Sequence, residues 1–180
     1  MRGRTPEPTW TPTCRPVLHH DPNSHRQNRA MTVSVVTETP DETMAVGRKL
    51  APLLTAGDVV VLSGSLGAGK TLFVSGLAEG LGISSRVTSP TFLIAKIYSD
   101  GFLPLVHADV YRLSSVAEFD DLGLLDAGED GAVVIEWGEA VAEALPDDRL
   151  TVAFEIDGGR RVVSFVPEGE WTRRDLEVLL

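Results

Sequence analysis

The sequence predicts an α/β fold in which a mixed β-sheet lies between two layers of helices. Three observations support this prediction. Short runs of β-branched and aliphatic residues, such as 58–63 and 132–137, are typical of strands buried on both faces. Segments with helix-start signals lie between these runs. Asp-Gly pairs separate neighbouring runs at two places, as in β-hairpins. With 180 residues, the chain is long enough for one such domain.

Residues 1–30 differ in composition from the rest of the chain. They contain five of the eleven prolines, and their net charge of +3 contrasts with −13 for residues 31–180. A segment with so few aliphatic residues cannot bury enough apolar surface to offset the entropy lost on ordering. We therefore expect a disordered N-terminal extension at 1–30 and one folded domain at 31–180. Two alternatives stay open: translation could begin at Met31, and His19, His20 and His25 could form a metal site.

The first strand and the first helix are predicted at the start of the folded domain. Residues 32–37 are rich in β-branched side chains, which favours a strand. Thr39 is a suitable N-cap, Pro40 fits the first helical position, and Glu42 completes a capping box. The helix is expected to continue to about Thr55, and Gly57 is expected to end it.

The remaining elements are predicted from the same signals. Further strands are expected at 58–63, 92–98, 103–109, 132–137, 150–156 and 161–166. Further helices are expected at 70–81, 117–125, 139–144 and 172–180, the last with Thr172 and Asp175 as its capping box. Hairpin turns are expected at 99–101 (Ser-Asp-Gly) and 157–159 (Asp-Gly-Gly).

The segment Gly64–Thr71 (GSLGAGKT) fits the pattern G-x-x-x-x-G-K-[ST] at every fixed position. Glycines let backbone N–H groups converge on a phosphate, and the following helix adds partial positive charge. Lys70 would reach the terminal phosphates, and Thr71 would offer its hydroxyl to magnesium. The sequence therefore predicts a P-loop NTPase-like three-layer sandwich that binds ATP and Mg²⁺. The nucleotide contacts expected here are Leu66, Gly67, Ala68, Gly69, Lys70, Thr71 and Leu72.

Two acidic residues follow apolar runs and are candidates for the magnesium site. Asp109 ends the run 105–108, and Glu136 ends the run 132–135. In open α/β sheets the carboxyl ends of the strands face the ligand, so either acid could bind the metal, hold its water or orient an attacking water. The sequence alone does not rank the two acids.

Amino-acid composition limits which partners the protein can bind and which cellular compartment suits it. A domain with a net charge of −13 is poorly suited to bind nucleic acid alone, so we expect any contact with tRNA to be indirect. No apolar run approaches the roughly 20 residues that span a bilayer, and we expect no membrane association. Cys14 is the single cysteine and cannot form an internal disulfide, which fits the reducing cytoplasm.

Other nucleotide-binding classes fit the sequence less well. A Ras-type GTPase needs an Asn-Lys-x-Asp motif, but both asparagines, Asn23 and Asn28, lie in the N-terminal segment. The stretch Asp120–Gly123 matches D-x-x-G, and a helix-capping stretch explains this weak match equally well. A small-molecule kinase remains the main alternative, although no arginine-rich lid is apparent.

Four motifs together resemble the TsaE family, also called YjeE, of bacterial tRNA threonylcarbamoyladenosine synthesis. They are Gly64–Thr71, then Val87–Phe92 (VTSPTF), His107–Leu113 (HADVYRL) and Ile135–Glu139 (IEWGE). The resemblance covers about 33–166. It implies an ATPase that works with the TsaD and TsaB proteins, which transfer a threonylcarbamoyl group to the adenosine beside the anticodon.

The same resemblance implies roles for particular residues. Lys70, Asp109 and Glu136 would be catalytic, with Asp109 as the Walker-B-like acid and Glu136 as a magnesium-associated acid alongside Thr71. Thr88, Ser89 and Thr91 would belong to a switch-like loop near the nucleotide, with Thr88 in contact with it. Trp137 would contact the nucleotide and be required for activity, and Thr39 would contact its adenine side. Two positions depart from the family pattern: Ser65 replaces an acid, and Gly138 replaces a proline.

The resulting hypothesis is a magnesium-dependent ATPase in tRNA modification that hydrolyses ATP slowly without its TsaB–TsaD partners. The alternatives are a small-molecule kinase and a nucleotide-gated binding module that hydrolyses almost no ATP.

Overall fold

The computed structural model describes residues 32–180, so the predictions made for residues 1–30 lie outside it. Seven strands are present in that range: β1 Val33–Thr37, β2 Asp58–Gly64, β3 Ala95–Tyr98, β4 Leu105–Asp109, β5 Ala132–Glu136, β6 Leu150–Asp157 and β7 Arg160–Pro167. Four α-helices accompany them: α1 Pro40–Leu50, α2 Lys70–Gly80, α3 Val116–Asp121 and α4 Leu124–Ala127. Short 3₁₀ turns cover Ala51–Leu53, Gly138–Ala144, Gly169–Arg173 and Leu176–Leu179.

The strands form one mixed sheet in the order β1-β7-β6-β2-β5-β4-β3. The four central strands β6, β2, β5 and β4 are parallel, whereas β1, β7 and β3 join them in antiparallel pairs. The parallel strands β2, β4 and β5 end at the same edge of the sheet, which is where ligands bind in open α/β folds. The mixed sheet confirms the predicted fold class.

Each face of the sheet packs on its own hydrophobic core, as expected for three layers. Strand alternation sends Val60 and Leu62 of β2 to the face covered by α1 and α2, where Phe73 is fully buried. Val59 and Val61 point to the opposite face, which is covered by α3, α4 and the turn at 138–144. The continuous apolar run of β2 is therefore buried on both sides.

Helices α1 and α2 cross in close contact because glycines stand at the crossing. A Cβ atom on Gly47 would collide with the carbonyl oxygen of Phe73, and one on Gly76 would collide with that of Met44. The two backbones therefore approach too closely for any side chain at these positions. This contact sets the position of α2, whose first residues belong to the phosphate loop.

The predictions for the first helix and for the region 117–144 need correction. Helix α1 ends at Leu50 rather than near Thr55, because Pro52 has no N–H to continue the helical ladder. The predicted helix 117–125 is two helices, separated where Gly123 takes a φ of 57°. The predicted helix 139–144 is a 3₁₀ turn.

The prediction of a closing helix at 172–180 with a Thr172–Asp175 capping box is wrong. Two 3₁₀ turns replace it, and the Thr172 hydroxyl donates back to the carbonyl oxygen of Gly169 at 2.7 Å. The backbone of Arg174 is extended between the turns, and its guanidinium donates to Asp58 Oδ1 at 2.6 Å. This long-range ion pair, together with stacking of the guanidinium on Trp171, holds the segment out of a continuous helix.

The two predicted hairpins have different outcomes. Strands β6 and β7 form the expected tight hairpin, turning at Gly158 and Gly159. Strands β3 and β4 also pair, but residues 99–104 connect them as a longer loop instead of a tight turn at 99–101. Strand β3 begins at Ala95 rather than at residue 92, because Ile94 has a φ of 67°, outside the strand region.

No helix within residues 32–180 combines the length and the apolar character needed to cross a membrane.

Candidate functional site

The segment Gly64–Thr71 curls between the end of β2 and the start of α2. Gly64, Gly67 and Gly69 have φ angles of 131°, 77° and 109°, which are accessible mainly to glycine. At Gly64 a Cβ atom would also collide with the carbonyl oxygen of Phe154 on the neighbouring strand β6. The first N–H groups of α2 have no partner within the helix, so they remain available at the centre of the curl.

Lys70 is only 5% exposed and lies within the curl. Its Nζ donates to the carbonyl oxygens of Gly64 and Ser65 at 2.7 and 3.1 Å. The same ammonium lies 3.8 Å from the centre of the Trp137 ring, within cation–π range. Burial lowers the pKa of Lys70, and the carboxylates nearby, with Glu136 first, oppose this shift.

Thr71 and Glu136 are in direct contact. The Thr71 hydroxyl donates to Glu136 Oε1 at 2.8 Å, and His107 Nε2 lies 2.9 Å from the same oxygen. Glu136 is 3% exposed at the end of β5, the strand paired with the phosphate-loop strand β2. The structure thus brings the phosphate-loop hydroxyl and one of the two candidate metal acids together.

Asp109 belongs to a second set of contacts beside the first. It is the register partner of Glu136 in the β4–β5 pair, one strand further from β2. Its Oδ2 accepts from the hydroxyls of Thr91 and Ser89 at 2.6 and 3.3 Å. Asp109 therefore anchors the loop at 87–92, whereas Glu136 anchors the phosphate loop.

Trp137 lies at the boundary between these groups. It follows β5 with a φ of 63°, so the predicted strand 132–137 ends one residue earlier, at Glu136. The Trp137 ring packs against Tyr111 with their ring centres 5.0 Å apart. Trp137 therefore contacts both Tyr111 and the Lys70 ammonium.

A cavity of about 190 Å³ lies on the other side of the loop, where α1 begins. Thr39 lines it and caps α1, accepting from the N–H of Glu42 at 3.2 Å. Glu42 in turn accepts from the N–H of Glu38, one residue before the position that a regular capping box uses. The cavity also contains the expected contacts Gly67, Ala68, Gly69 and Leu72.

Several residues at these sites were not predicted as site residues, and three of them come from elements remote in the chain from the phosphate loop. Gly159 and Arg161, from the β6–β7 hairpin, complete the wall of the Thr39 cavity, and no local pattern in the sequence points to them. His107 contacts Glu136, and its position inside the apolar run of β4 is a signal that could have identified it.

Two predicted nucleotide contacts stand apart from this cluster. The Leu66 side chain is 88% exposed at the tip of the phosphate loop. Thr88 is exposed, and among the described residues the hydroxyls that tie its loop to Asp109 come from Ser89 and Thr91 instead.

A larger cavity of about 440 Å³ lies between α2 and the segment 83–87 and reaches Thr71. Asp100 holds this segment, since its carboxylate accepts from the backbone N–H groups of Ser84 and Ser85, each at 3.0 Å. Hydrogen bonds, first from the Ser84 hydroxyl, lower the pKa of Asp100 to about 2. These hydrogen bonds tie the cavity wall at 83–87 to the β3–β4 connection.

These features define the P-loop class of nucleotide-binding proteins. The mixed sheet is covered on both faces, and a glycine-rich loop joins its central strand β2 to a helix that begins Lys-Thr. Comparison with known proteins narrows this class. The family model described as "Threonylcarbamoyl adenosine biosynthesis protein TsaE" matches residues 37–163, and the chain belongs to this family. The resemblance seen in the four motifs is thereby confirmed.

Relatives and a solved structure agree with this assignment. The chain is 47% identical over 144 residues to the tRNA threonylcarbamoyladenosine biosynthesis protein TsaE of Streptomyces coelicolor, covering 74% of this chain and 97% of that protein. It is 44% identical over 135 residues to the protein of the same name from Bacillus subtilis, covering 74% and 84%. The crystal structure of Bacillus subtilis YdiB superposes with a TM-score of 0.70 at 35% identity, covering 87% of this chain and 97% of that one.

Proposed function

We propose that this protein is the ATP-hydrolysing component of tRNA threonylcarbamoyladenosine modification and that it acts with TsaB and TsaD. The observation that carries the proposal is the hydrogen bond between Thr71 and Glu136 beside the buried ammonium of Lys70. In P-loop proteins this arrangement of hydroxyl, acid and lysine binds a nucleoside triphosphate and its magnesium ion. Membership of the TsaE family supplies the pathway.

The residues of the site fit ATP and Mg²⁺ chemically. Magnesium prefers oxygen ligands and is usually held by one or two carboxylates together with phosphate oxygens. The Thr71 hydroxyl and the Glu136 carboxylate supply such oxygens, and Asp109 lies on the next strand. When bound, the ion would neutralise charge on the phosphates.

The position of the two acids supports different roles for them. Glu136 stands on the strand next to β2 and contacts Thr71, as expected of the acid that holds the metal or its water. Asp109 is bonded to Ser89 and Thr91, so it can pass a change in the site to the loop at 87–92. We therefore assign magnesium primarily to Thr71 and Glu136, and loop control to Asp109.

The Thr39 cavity supports an adenine-side position. It adjoins Gly67, Ala68 and Gly69 on the outer side of the phosphate loop, away from Thr71 and Glu136. A nucleotide with its phosphates in the loop would extend its base in this direction. Arg161 from the β6–β7 hairpin is then available to contact the nucleotide.

The 440 Å³ cavity is the feature that favours the alternative function, a small-molecule kinase, because it reaches Thr71 and could hold a phosphate acceptor. Among the described residues that line it, Arg86 is the one cation, and kinases usually surround the transferred phosphate with several. A phosphoryl-transfer screen against small metabolites distinguishes the two functions.

The proposal is tested by measuring ATP hydrolysis by the full chain alone and with TsaB and TsaD from the same organism. We expect slow hydrolysis alone and a clear change in turnover or ATP affinity when both partners are present. Adding tRNA without the partners should change neither quantity, since the protein is strongly acidic. Hydrolysis and affinity that stay the same with the partners present would refute the proposed role.

A further inference from the structure

His107 is a polar residue in the middle of a buried strand. It lies in β4 between Val106 and Ala108, and its side chain is 0% exposed. Strand alternation places it on the same face of the sheet as Leu105 and Asp109, the face that α2 covers. Burying an imidazole in an apolar layer is unfavourable unless its nitrogens find hydrogen-bond partners.

The two ring nitrogens of His107 have different surroundings. Nε2 lies 2.9 Å from Glu136 Oε1, whereas Nδ1 is buried without a hydrogen-bond partner among residues 32–180. A carboxylate oxygen accepts hydrogen bonds, so Nε2 is the nitrogen that carries the proton and donates it. In the neutral ring, Nδ1 is then an acceptor without a donor.

Both donors to the Glu136 carboxylate converge on a single oxygen. Oε1 receives the Thr71 hydroxyl at 2.8 Å and the His107 N–H at 2.9 Å. Within the described part of the chain, no side-chain donor is within hydrogen-bonding distance of Oε2. Two donors from two different elements fix the plane of the carboxylate and leave its second oxygen available for a ligand.

We propose that His107 is a positioning residue that holds Glu136 in the orientation needed for magnesium binding. The proposal rests on the proposed function, in which Glu136 serves the metal of the bound nucleotide. Packing alone does not explain His107, because leucine would fill the same layer without leaving a nitrogen unpartnered. Groups that orient metal-binding carboxylates in this way strongly affect metal affinity.

Two variants of the full chain separate positioning from packing. His107→Leu keeps an apolar side chain in the core but has no donor, whereas His107→Gln places an amide N–H within reach of Glu136. Calorimetry gives the affinity for ATP with saturating Mg²⁺ and with excess EDTA. We expect the affinity of His107→Leu for ATP with saturating Mg²⁺ to be about 10- to 100-fold weaker than that of the wild type. Its affinity for ATP in excess EDTA should equal that of the wild type. His107→Gln should recover most of the loss.

The outcome that overturns the proposal is equal Mg²⁺-dependent affinity in the wild type and His107→Leu, or equal losses in the leucine and glutamine variants. Thermal melts of both variants identify losses that arise from unfolding. If either variant fails to fold, a measurement on the wild type tests the proposal instead.

Nitrogen-15 NMR of the nucleotide-free wild type provides that measurement. The His107 ring is expected to carry a proton on Nε2, the nitrogen that faces Glu136, and an Nε2 without a proton would overturn the proposal. Failure of the wild type to bind ATP with Mg²⁺ would instead refute the proposed function, and the NMR result would still decide whether His107 donates to Glu136.

Discussion

The hydroxyl of Thr71 donates to Oε1 of Glu136 at 2.8 Å, although the two residues are 65 positions apart in the chain. This hydrogen bond joins the start of α2 to the end of β5 and brings a hydroxyl and a carboxylate together at one sheet edge. It also distinguishes the two candidate acids, because Asp109 contacts the loop at 87–92 instead.

Replacing Glu136 should lower the Mg²⁺-dependent part of ATP binding and impair hydrolysis by a larger factor. In Glu136→Ala, Lys70 and the loop amides are expected to hold the phosphates still, but the proposed magnesium site loses its acid. Because metal ions contribute several kcal/mol to such reactions, we expect a loss on the order of 100-fold in single-turnover hydrolysis. Asp109→Ala is the matched comparison. Hydrolysis that survives in Glu136→Ala but not in Asp109→Ala would reverse our assignment of the two acids.

Replacing Lys70 should abolish nucleotide binding without destabilising the nucleotide-free protein. Burial lowers the pKa of Lys70 from its ordinary value of 10.5, so the folded state disfavours the charged form. This unfavourable contribution to stability is present below the lowered pKa and disappears as the pH rises through it and past 10.5. Lys70→Met should therefore be at least as stable as the wild type at neutral pH, with the difference shrinking at alkaline pH.

Thermal melts without nucleotide from about pH 7 to about pH 10 measure this difference. A Lys70→Met protein that melts well below the wild type at neutral pH would contradict the electrostatic account of the buried lysine.

Replacing Gly76 should destabilise the fold by forcing α1 and α2 apart. A Cβ atom at this position collides with the carbonyl oxygen of Met44, and overpacking of this kind costs about 1–3 kcal/mol. Urea denaturation of Gly76→Ala measures the loss. Gly159→Ala is the control, because a Cβ atom there meets nothing within 4 Å. Equal stability of the two variants would show that the helices are less closely packed than described.

Nucleotide binding should change the fluorescence of Trp137. The Lys70 ammonium lies 3.8 Å from the centre of its ring, and phosphates that attract the ammonium alter this contact. We expect ATP with Mg²⁺ to shift the emission of the wild type, whereas Trp137→Phe should lose the shift and keep the emission of its other tryptophans. A full shift in Trp137→Phe would assign the signal to another residue.

Local signals in the sequence predicted the elements that local physics determines. The phosphate loop, the cap at Thr39 and the β6–β7 hairpin all depend on neighbouring residues, and the structure contains each of them. The prediction of a closing helix was wrong because Arg174 pairs with Asp58, 116 positions away in the chain. No local sequence pattern indicates this contact.

The candidate site shows the same division. Strand ends identified Asp109 and Glu136, but only the pairing of β5 with β2 places Glu136 beside Thr71. The hydrogen bond from His107 and the approach of Arg161 to the Thr39 cavity depend on strand order and register, so they require the folded structure.

Calorimetric titration of the folded full chain with ATP, with and without Mg²⁺, tests the central claim most directly. The Gly64–Thr71 cradle predicts one bound nucleotide per chain, tighter binding when Mg²⁺ is present, and no binding by Lys70→Met. A folded wild-type chain that takes up no magnesium-bound ATP at millimolar nucleotide would contradict the account.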